Sequence, residues 1–116
     1  MEISHRHLNR VDVLSLSGRL DAAAASPLKE QIDSLFAQGR YRIVLDLGGL
    51  ESLSSAGLRV LVDARKRARE RKITDLEGGD IRIANPSAYI REILDLTGFT
   101  TMFEIYPDTL EAVGSF

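Results

Sequence analysis

Residues 43–64 constrain the fold more than any other stretch of the sequence. They have the pattern of an apolar strand followed by a helix that starts at two adjacent serines. Ile43–Leu47 is mostly aliphatic, which is typical of a strand that lies inside a sheet. Gly48-Gly49 loosens the chain after it, and the apolar residues of 53–64 then recur at helical spacing. Ser54 is a favoured N-cap residue, because its hydroxyl oxygen can accept from an amide two or three residues later. The stretch therefore predicts a strand, a turn and a helix in succession.

Ser55 would lie in the first turn of that helix. The backbone N–H groups there lack intrahelical acceptors, and the helix dipole is positive at this end. A phosphate on the Ser55 hydroxyl would therefore meet free hydrogen-bond donors. An ordinary helix start explains the same two serines, so the local pattern alone does not separate a modification site from a cap.

Composition narrows the functional classes. The chain has 116 residues, of which 44% are hydrophobic, and this predicts one globular domain over residues 1–116. Seventeen acidic and 15 basic residues give a net charge of −2, which argues against a general nucleic-acid-binding protein. There is no cysteine, so disulfides, thiolate zinc sites and cysteine nucleophiles are excluded. Neither a membrane-spanning run nor a signal peptide is recognisable, and we expect a cytoplasmic protein without a membrane partner.

Strand and helix patterns alternate along the chain in the order ββαβαβαβα. The predicted strands cover residues 2–8, 11–17, 41–47, 81–84 and 103–106, and the predicted helices begin near residues 22–27, 55, 86 and 109. A turn at Asn9-Arg10 would join the first two strands as an antiparallel hairpin. The later strands, separated by helices, would pair in parallel through right-handed crossovers. The sequence therefore predicts an α/β fold with one mixed, mostly parallel sheet of about five strands and crossover helices.

Several residues are expected to set the ends and the buried faces of these elements. Gly18 is expected to end the second strand, and Asn85-Pro86 to start the third helix. Ser26-Pro27 is one candidate start of the first helix, with an earlier start in the preceding alanines as the alternative. Helical spacing assigns inward positions to Leu58, Leu61, Val62 and Ala68 in the second helix, to Tyr89, Ile90, Ile93, Leu94 and Leu96 in the third, and to Leu110 and Val113 in the last.

Other polar groups suggest weaker candidates for chemistry. His5 and His7 would lie on one face of the first strand, as in some metal sites, but no carboxylate has an evident reason to join them. We therefore expect surface histidines and no metal site. The basic run Arg65–Lys72 is either a phosphate or nucleic-acid site or a solvated helix end. Gly78-Gly79 lacks the lysine spacing of a phosphate loop, and no nucleophile–base–acid arrangement is recognisable, so we expect neither a cofactor nor an enzyme.

Three motifs, in their order along the chain, resemble motifs of the anti-sigma factor antagonists, which are the stand-alone form of the STAS domain. The first is Ser17–Asp21, and the second runs from Ile43–Leu47 through Gly49-Leu50 to Leu53–Leu61. The third is Ile93–Phe99, followed by a terminal strand and helix. The resemblance covers nearly the whole chain, and it is more specific for the domain than for the pathway.

The resemblance implies a phosphorylation switch. In the family, a partner serine kinase, which is also the anti-sigma factor, phosphorylates a Ser or Thr at the start of the helix after the third strand. The unphosphorylated antagonist binds the kinase and frees the sigma factor, and a phosphatase resets the phosphorylated form. Matched by residue, Ser55 is the acceptor, Ala56 the small residue and Gly57 the glycine. Ser54 stands where the family often has Asp.

The same resemblance implies a partner-binding surface on a monomer that makes no direct contact with nucleic acid. It comprises Arg19, Asp21, Ser54, Ser55, Ala56, Gly57, Arg59 and Asp63. Two other functions remain open. The chain could be a STAS module outside sigma-factor control, such as a scaffold, a sensor or a partner of a transporter or lipid system. The other is an enzyme or nucleotide hydrolase.

Overall fold

A five-stranded sheet runs through the centre of the protein. The computed structural model describes residues 1–71 and 78–116. The strands are β1 (Glu2–His7), β2 (Asp12–Leu20), β3 (Arg42–Leu53), β4 (Asp80–Ala84) and β5 (Ile105–Tyr106), and they lie side by side in this order. β1 pairs with β2 in antiparallel orientation, and every other pair is parallel. This confirms the predicted mixed, mostly parallel sheet.

Within residues 1–71 and 78–116, four α-helices connect or follow the strands. They are α1 (Ala22–Ala37), α2 (Ser55–Glu70), α3 (Ala88–Leu96) and α4 (Thr109–Gly114), with a single 3₁₀ turn at Phe99–Thr101. The element order therefore agrees with the predicted ββαβαβαβα. Across residues 1–71 and 78–116, none of the helices combines the length and the apolar composition needed to cross a membrane.

The two faces of the sheet have different partners. The larger core joins side chains of β2, β3 and β4 to those of α1, α2 and α3, and includes the fully buried Leu14, Leu45 and Ile83. The smaller core lies on the other face, where Val13 and Val44 contact Ala112 of α4. Neighbouring residues of a strand point to opposite faces, so the apolar run 43–45 is buried on both.

The two central strands extend beyond the glycines that were expected to interrupt them. The prediction that Gly18 ends β2 is wrong, because the strand continues to Leu20 with Gly18 at a φ of +92°. β3 likewise continues through Gly48-Gly49 to Leu53. The extensions pair with each other, since Gly18 lies opposite Leu50 and Leu20 opposite Leu53. Ladder hydrogen bonds thus offset the poor strand propensity of glycine.

Helix ends also differ in part from the predictions. α1 begins at Ala22, the earlier of the two expected starts, and Pro27 lies inside the helix. Asn85-Pro86 does not start α3. Instead Ser87 is the N-cap, and its Oγ accepts from the amide of Ile90 at 3.2 Å.

Three apolar side chains assigned to the core are exposed, so those predictions are wrong. Tyr89, Leu96 and Leu110 have relative exposures of 59%, 80% and 83%. α3 buries Ile90 and Leu94 only, and the short α4 buries Ala112. The final strand is also shorter than expected, because Phe103 is buried in the larger core before β5 begins.

Candidate functional site

Ser54 fastens the start of α2 to the end of β2. Its Oγ accepts from the amide of Gly57 at 3.1 Å and donates to the carbonyl of Leu20 at 2.9 Å. Its backbone N–H donates to the same carbonyl at 2.9 Å. The Ser54 hydroxyl is therefore committed to structure, as the predicted N-cap and as a link between two elements.

Gly57 allows α2 to approach β2 closely. A Cβ added at this position would lie 2.5 Å from Cγ of Leu20, and both residues are buried. A larger residue would push the helix away from the strand. The close contact places the segment Arg19–Asp21 next to the first turn of α2, as the resemblance implied.

Ser55 is the first residue of α2, and its side chain is exposed. Ser54 already caps the helix, so the Ser55 hydroxyl is left for other chemistry. The amides of the first helical turn have no intrahelical acceptors, and the first turn of α2 contains no acidic residue. Ser55 thus lies at the positive end of the helix and faces solvent.

An open cleft lies directly beside Ser55. It has a volume of about 340 Å³ and is lined by Ser55, Leu58, Arg59, Val62, Thr97 and Phe99. The last two residues follow α3 and were not among the predicted partner-binding residues. The sequence did offer a signal for them, because both lie in Ile93–Phe99, one of the three motifs that carry the resemblance.

The remaining predicted partner-binding residues have different surroundings. Arg19 and Arg59 are exposed. The carboxylate of Asp21 caps α1 by accepting from the amide of Ala24 at 2.9 Å. Asp63 lies two turns along α2 from Ser55 and forms an ion pair with Arg67 at 3.4 Å. The structure therefore groups Arg19, Asp21, Arg59 and the Ser54–Gly57 turn, and places Asp63 at their margin.

Arg67 also connects α2 to α1. Its Nη2 lies 2.7 Å from Oδ1 of Asp33, and its guanidinium lies over the ring of Phe36. The hydrogen bond from Lys29 lowers the pKa of the Asp33 carboxyl, and the neighbouring Arg67 adds to this. Asp33 in turn raises the pKa of Arg67.

The basic run on α2 is largely engaged within the protein. Arg65 and Arg69 lie 3.8 Å and 3.6 Å from the carboxylate of Asp80, and Arg71 stacks on the ring of Tyr41. These contacts favour a helix face with internal partners over a nucleic-acid site. Lys72, the last residue of this run, lies outside the described residues.

A second polar cluster lies where β2 begins. The expectation that no carboxylate would join the histidines is wrong, since Asp12 contacts both of them. The antiparallel register places His7 opposite Asp12, with His5 two positions along the same face. Counting back across the predicted hairpin turn would have given this pairing. Both histidines are exposed, as expected.

Comparisons with known proteins agree with this architecture. The family model described as "Mlab, STAS domain" matches residues 3–106. The chain is 27% identical over 116 residues to the protein named "Putative anti-sigma factor antagonist BtrV" from Bordetella bronchiseptica, an alignment that covers 100% of this chain and 95% of that protein.

Solved structures show the same fold. An anti-sigma factor antagonist from Mycobacterium paratuberculosis has a TM-score of 0.82 at 24% identity, over 98% of this chain and 92% of that one. The phosphorylated form of SpoIIAA from Bacillus has a TM-score of 0.72 at 19% identity, over 98% of both chains. With a family model that spans nearly the whole sequence and a matching fold, the chain belongs to the STAS domain family.

Proposed function

We propose that this chain is an anti-sigma factor antagonist, and that it is switched by phosphorylation of Ser55. The observation that carries the proposal is the division of roles between two adjacent serines. Ser54 holds the helix start, whereas Ser55 presents an exposed hydroxyl at the positive end of α2, beside an open cleft. The relative from Bordetella bronchiseptica, which aligns with the whole of this chain and is named as an anti-sigma factor antagonist, supports the same function.

In the unphosphorylated state, the chain binds an anti-sigma factor that is itself a serine kinase, and a sigma factor is released. The docking surface consists of the Ser54–Gly57 turn, Arg59, the Arg19–Asp21 segment and the open cleft that Phe99 lines. It offers apolar area around polar groups, as protein interfaces commonly do. The chain acts as a monomeric, non-enzymatic cytoplasmic binding protein without direct contact to nucleic acid.

Phosphorylation then reverses binding. The Ser55 oxygen forms a bond to the γ-phosphorus of ATP, the bond to ADP breaks, and the hydroxyl proton passes to a base of the kinase. The phosphate adds nearly two negative charges to a surface that must lose water on docking. It also lies one turn from Arg59, at the i,i+4 spacing that favours an ion pair, and can withdraw this cation from the partner. A serine phosphatase hydrolyses the phosphate and restores binding.

The test is a pull-down from extract of the source organism, in which wild type is compared with Ser55→Asp and the captured proteins are identified by mass spectrometry. We expect wild type and Ser55→Ala to retain an ATP-binding serine kinase, and Ser55→Asp to lose it. A weakening of about 2–3 kcal/mol corresponds to a loss of affinity of about 30- to 100-fold or more. Ser34→Asp is the matched control, because it adds the same charge at an exposed serine on α1. Equal capture of the kinase by all variants would contradict the proposal.

A second function is a STAS interaction module outside sigma-factor control, such as a scaffold or a partner of a transporter or lipid system. Two observations favour it. The description of the matching family model, "Mlab, STAS domain", names the domain and no sigma-factor partner. Ser54 also replaces the aspartate that often precedes the acceptor in the antagonists. The same pull-down separates the two functions, because wild type and Ser55→Asp would then capture the same assembly without a kinase.

A further inference from the structure

His5, His7 and Asp12 bring three metal-ligating side chains together at the start of β2. His5 Nε2 lies 2.8 Å and His7 Nδ1 lies 3.1 Å from Oδ1 of Asp12. The three ligand atoms all lie within 4.8 Å of one another. Leu20, at the other end of β2, contacts the Ser54 turn, so this cluster is separate from the proposed switch.

We propose that these three residues form a binding site for Zn²⁺. Two imidazoles and one carboxylate are a common ligand set for zinc, and three protein ligands leave a fourth position for water. In a tetrahedral site with bonds of about 2.0 Å, neighbouring ligand atoms are about 3.3 Å apart. The two nitrogen–oxygen separations of 2.8 and 3.1 Å would widen slightly to admit the ion. The two ring nitrogens, which lie no more than 4.8 Å apart, would move closer by rotation of the exposed histidine rings.

Neighbouring residues already hold the Asp12 carboxylate in one orientation before an ion binds. Asp12 is fully buried, and its second oxygen, Oδ2, accepts from Nε of Arg40. Arg40 is itself held by the carbonyl of Leu8, to which its Nη2 donates at 2.8 Å. Oδ1 is therefore aimed at the two rings, and Arg40 is a positioning residue of the kind that orients metal-binding carboxylates.

The ion has a route to the site from the histidine side. The side chains of His5 and His7 are 30% and 59% exposed, whereas that of Asp12 is 0% exposed. Each ring would bind zinc through the nitrogen that now faces Asp12 and carry its hydrogen on the other nitrogen, which points away from the carboxylate. The carboxylate supplies the third ligand, and the fourth position opens toward solvent.

Calorimetric titration of ZnCl₂ into the full chain, prepared without an affinity tag, tests the site. We expect one zinc ion per chain, and a loss of affinity of at least about tenfold in His5→Gln and in His7→Gln. Arg6→Gln is the matched control, because Arg6 lies between the histidines but points to the opposite face of β1, and it should retain wild-type zinc affinity. Mg²⁺ should not bind, since it prefers oxygen ligands.

The nitrogen resonances of the two imidazoles give a readout that needs no variant. Zinc should shift Nε2 of His5 and Nδ1 of His7, and leave the other nitrogen of each ring protonated. These shifts decide the question even if a histidine variant fails to fold. Undetectable zinc binding by wild type, binding that survives both histidine substitutions, or a shift confined to one ring would each overturn the three-residue site.

Discussion

Two neighbouring serines at the start of α2 differ in burial and in hydrogen bonding. Ser54 is half-buried and uses its hydroxyl both as donor and as acceptor, whereas Ser55 is exposed. A modification of Ser54 would break the connection between α2 and β2, but a modification of Ser55 would leave it intact. The proposed switch would therefore change the charge at Ser55 without unfolding the turn that presents it.

Substitution of each serine by alanine should separate the two roles. Ser54→Ala removes an N-cap and leaves the Leu20 carbonyl with one donor fewer, so we expect a loss of about 1–2 kcal/mol in the free energy of unfolding. Ser55→Ala should change it by less than about 0.5 kcal/mol, as is usual for an exposed site. Urea denaturation of both variants measures the difference. Equal losses would show that Ser55 also supports the fold.

At the scale of elements, the contact between α2 and the end of β2 decides how the candidate site is built. Gly57 permits the helix to lie against Leu20, and this brings the Arg19–Asp21 segment at the end of β2 next to the first turn of α2. The two segments are more than 30 residues apart in sequence, as the Ser54–Leu20 hydrogen bond shows with a separation of 34. The site is thus a product of strand pairing and helix packing together.

Gly57→Ala tests this contact. Alanine favours a helix by about 1 kcal/mol over glycine, but its Cβ would overlap Leu20, and overpacking costs about 1–3 kcal/mol. We expect a net loss of stability, measured by urea denaturation, and displaced amide resonances around Arg19–Asp21. Gly114→Ala is the control, because a Cβ there meets nothing within 4 Å. A gain of stability in both variants would show that α2 moves freely away from β2.

At the scale of the whole molecule, the stability in acid should depend on the link between α1 and α2. The pKa of Asp33 is lowered in the folded protein from its ordinary value of 3.8. The unfolded chain therefore binds a proton more readily at this site. The stabilisation is present above pH 3.8 and is lost as the pH falls through the lower folded value.

Asp33→Asn removes this contribution. We expect the variant to lose less stability than wild type between about pH 5 and pH 2, although both lose some through their other carboxylates. The difference should be small, because the Asp33 side chain is 36% exposed and solvent screens its ion pairs. Thermal unfolding across this pH range gives the measurement. Parallel curves for the two proteins would contradict the prediction.

Sequence patterns predicted the order of the elements because periodicity and caps are local signals, and Ser54 caps α2 as expected. Local signals failed where tertiary pairing decides. β2 passes through Gly18 because β3 pairs with it, and Leu110 is exposed because α4 covers the sheet with Ala112. The Asp12 cluster depends on strand register, which residue propensities do not give but which the predicted hairpin turn at Asn9-Arg10 would have given.

The borders of the sheet have a consequence for how this protein behaves at high concentration. An uncovered outer strand is a template for chain-to-chain polymerisation unless it is short or carries charge. β5 has only two residues, and β1 presents polar or charged side chains at five of its six positions. Both borders therefore resist cross-β aggregation, which would keep the chain available for the repeated exchange of partners that we propose.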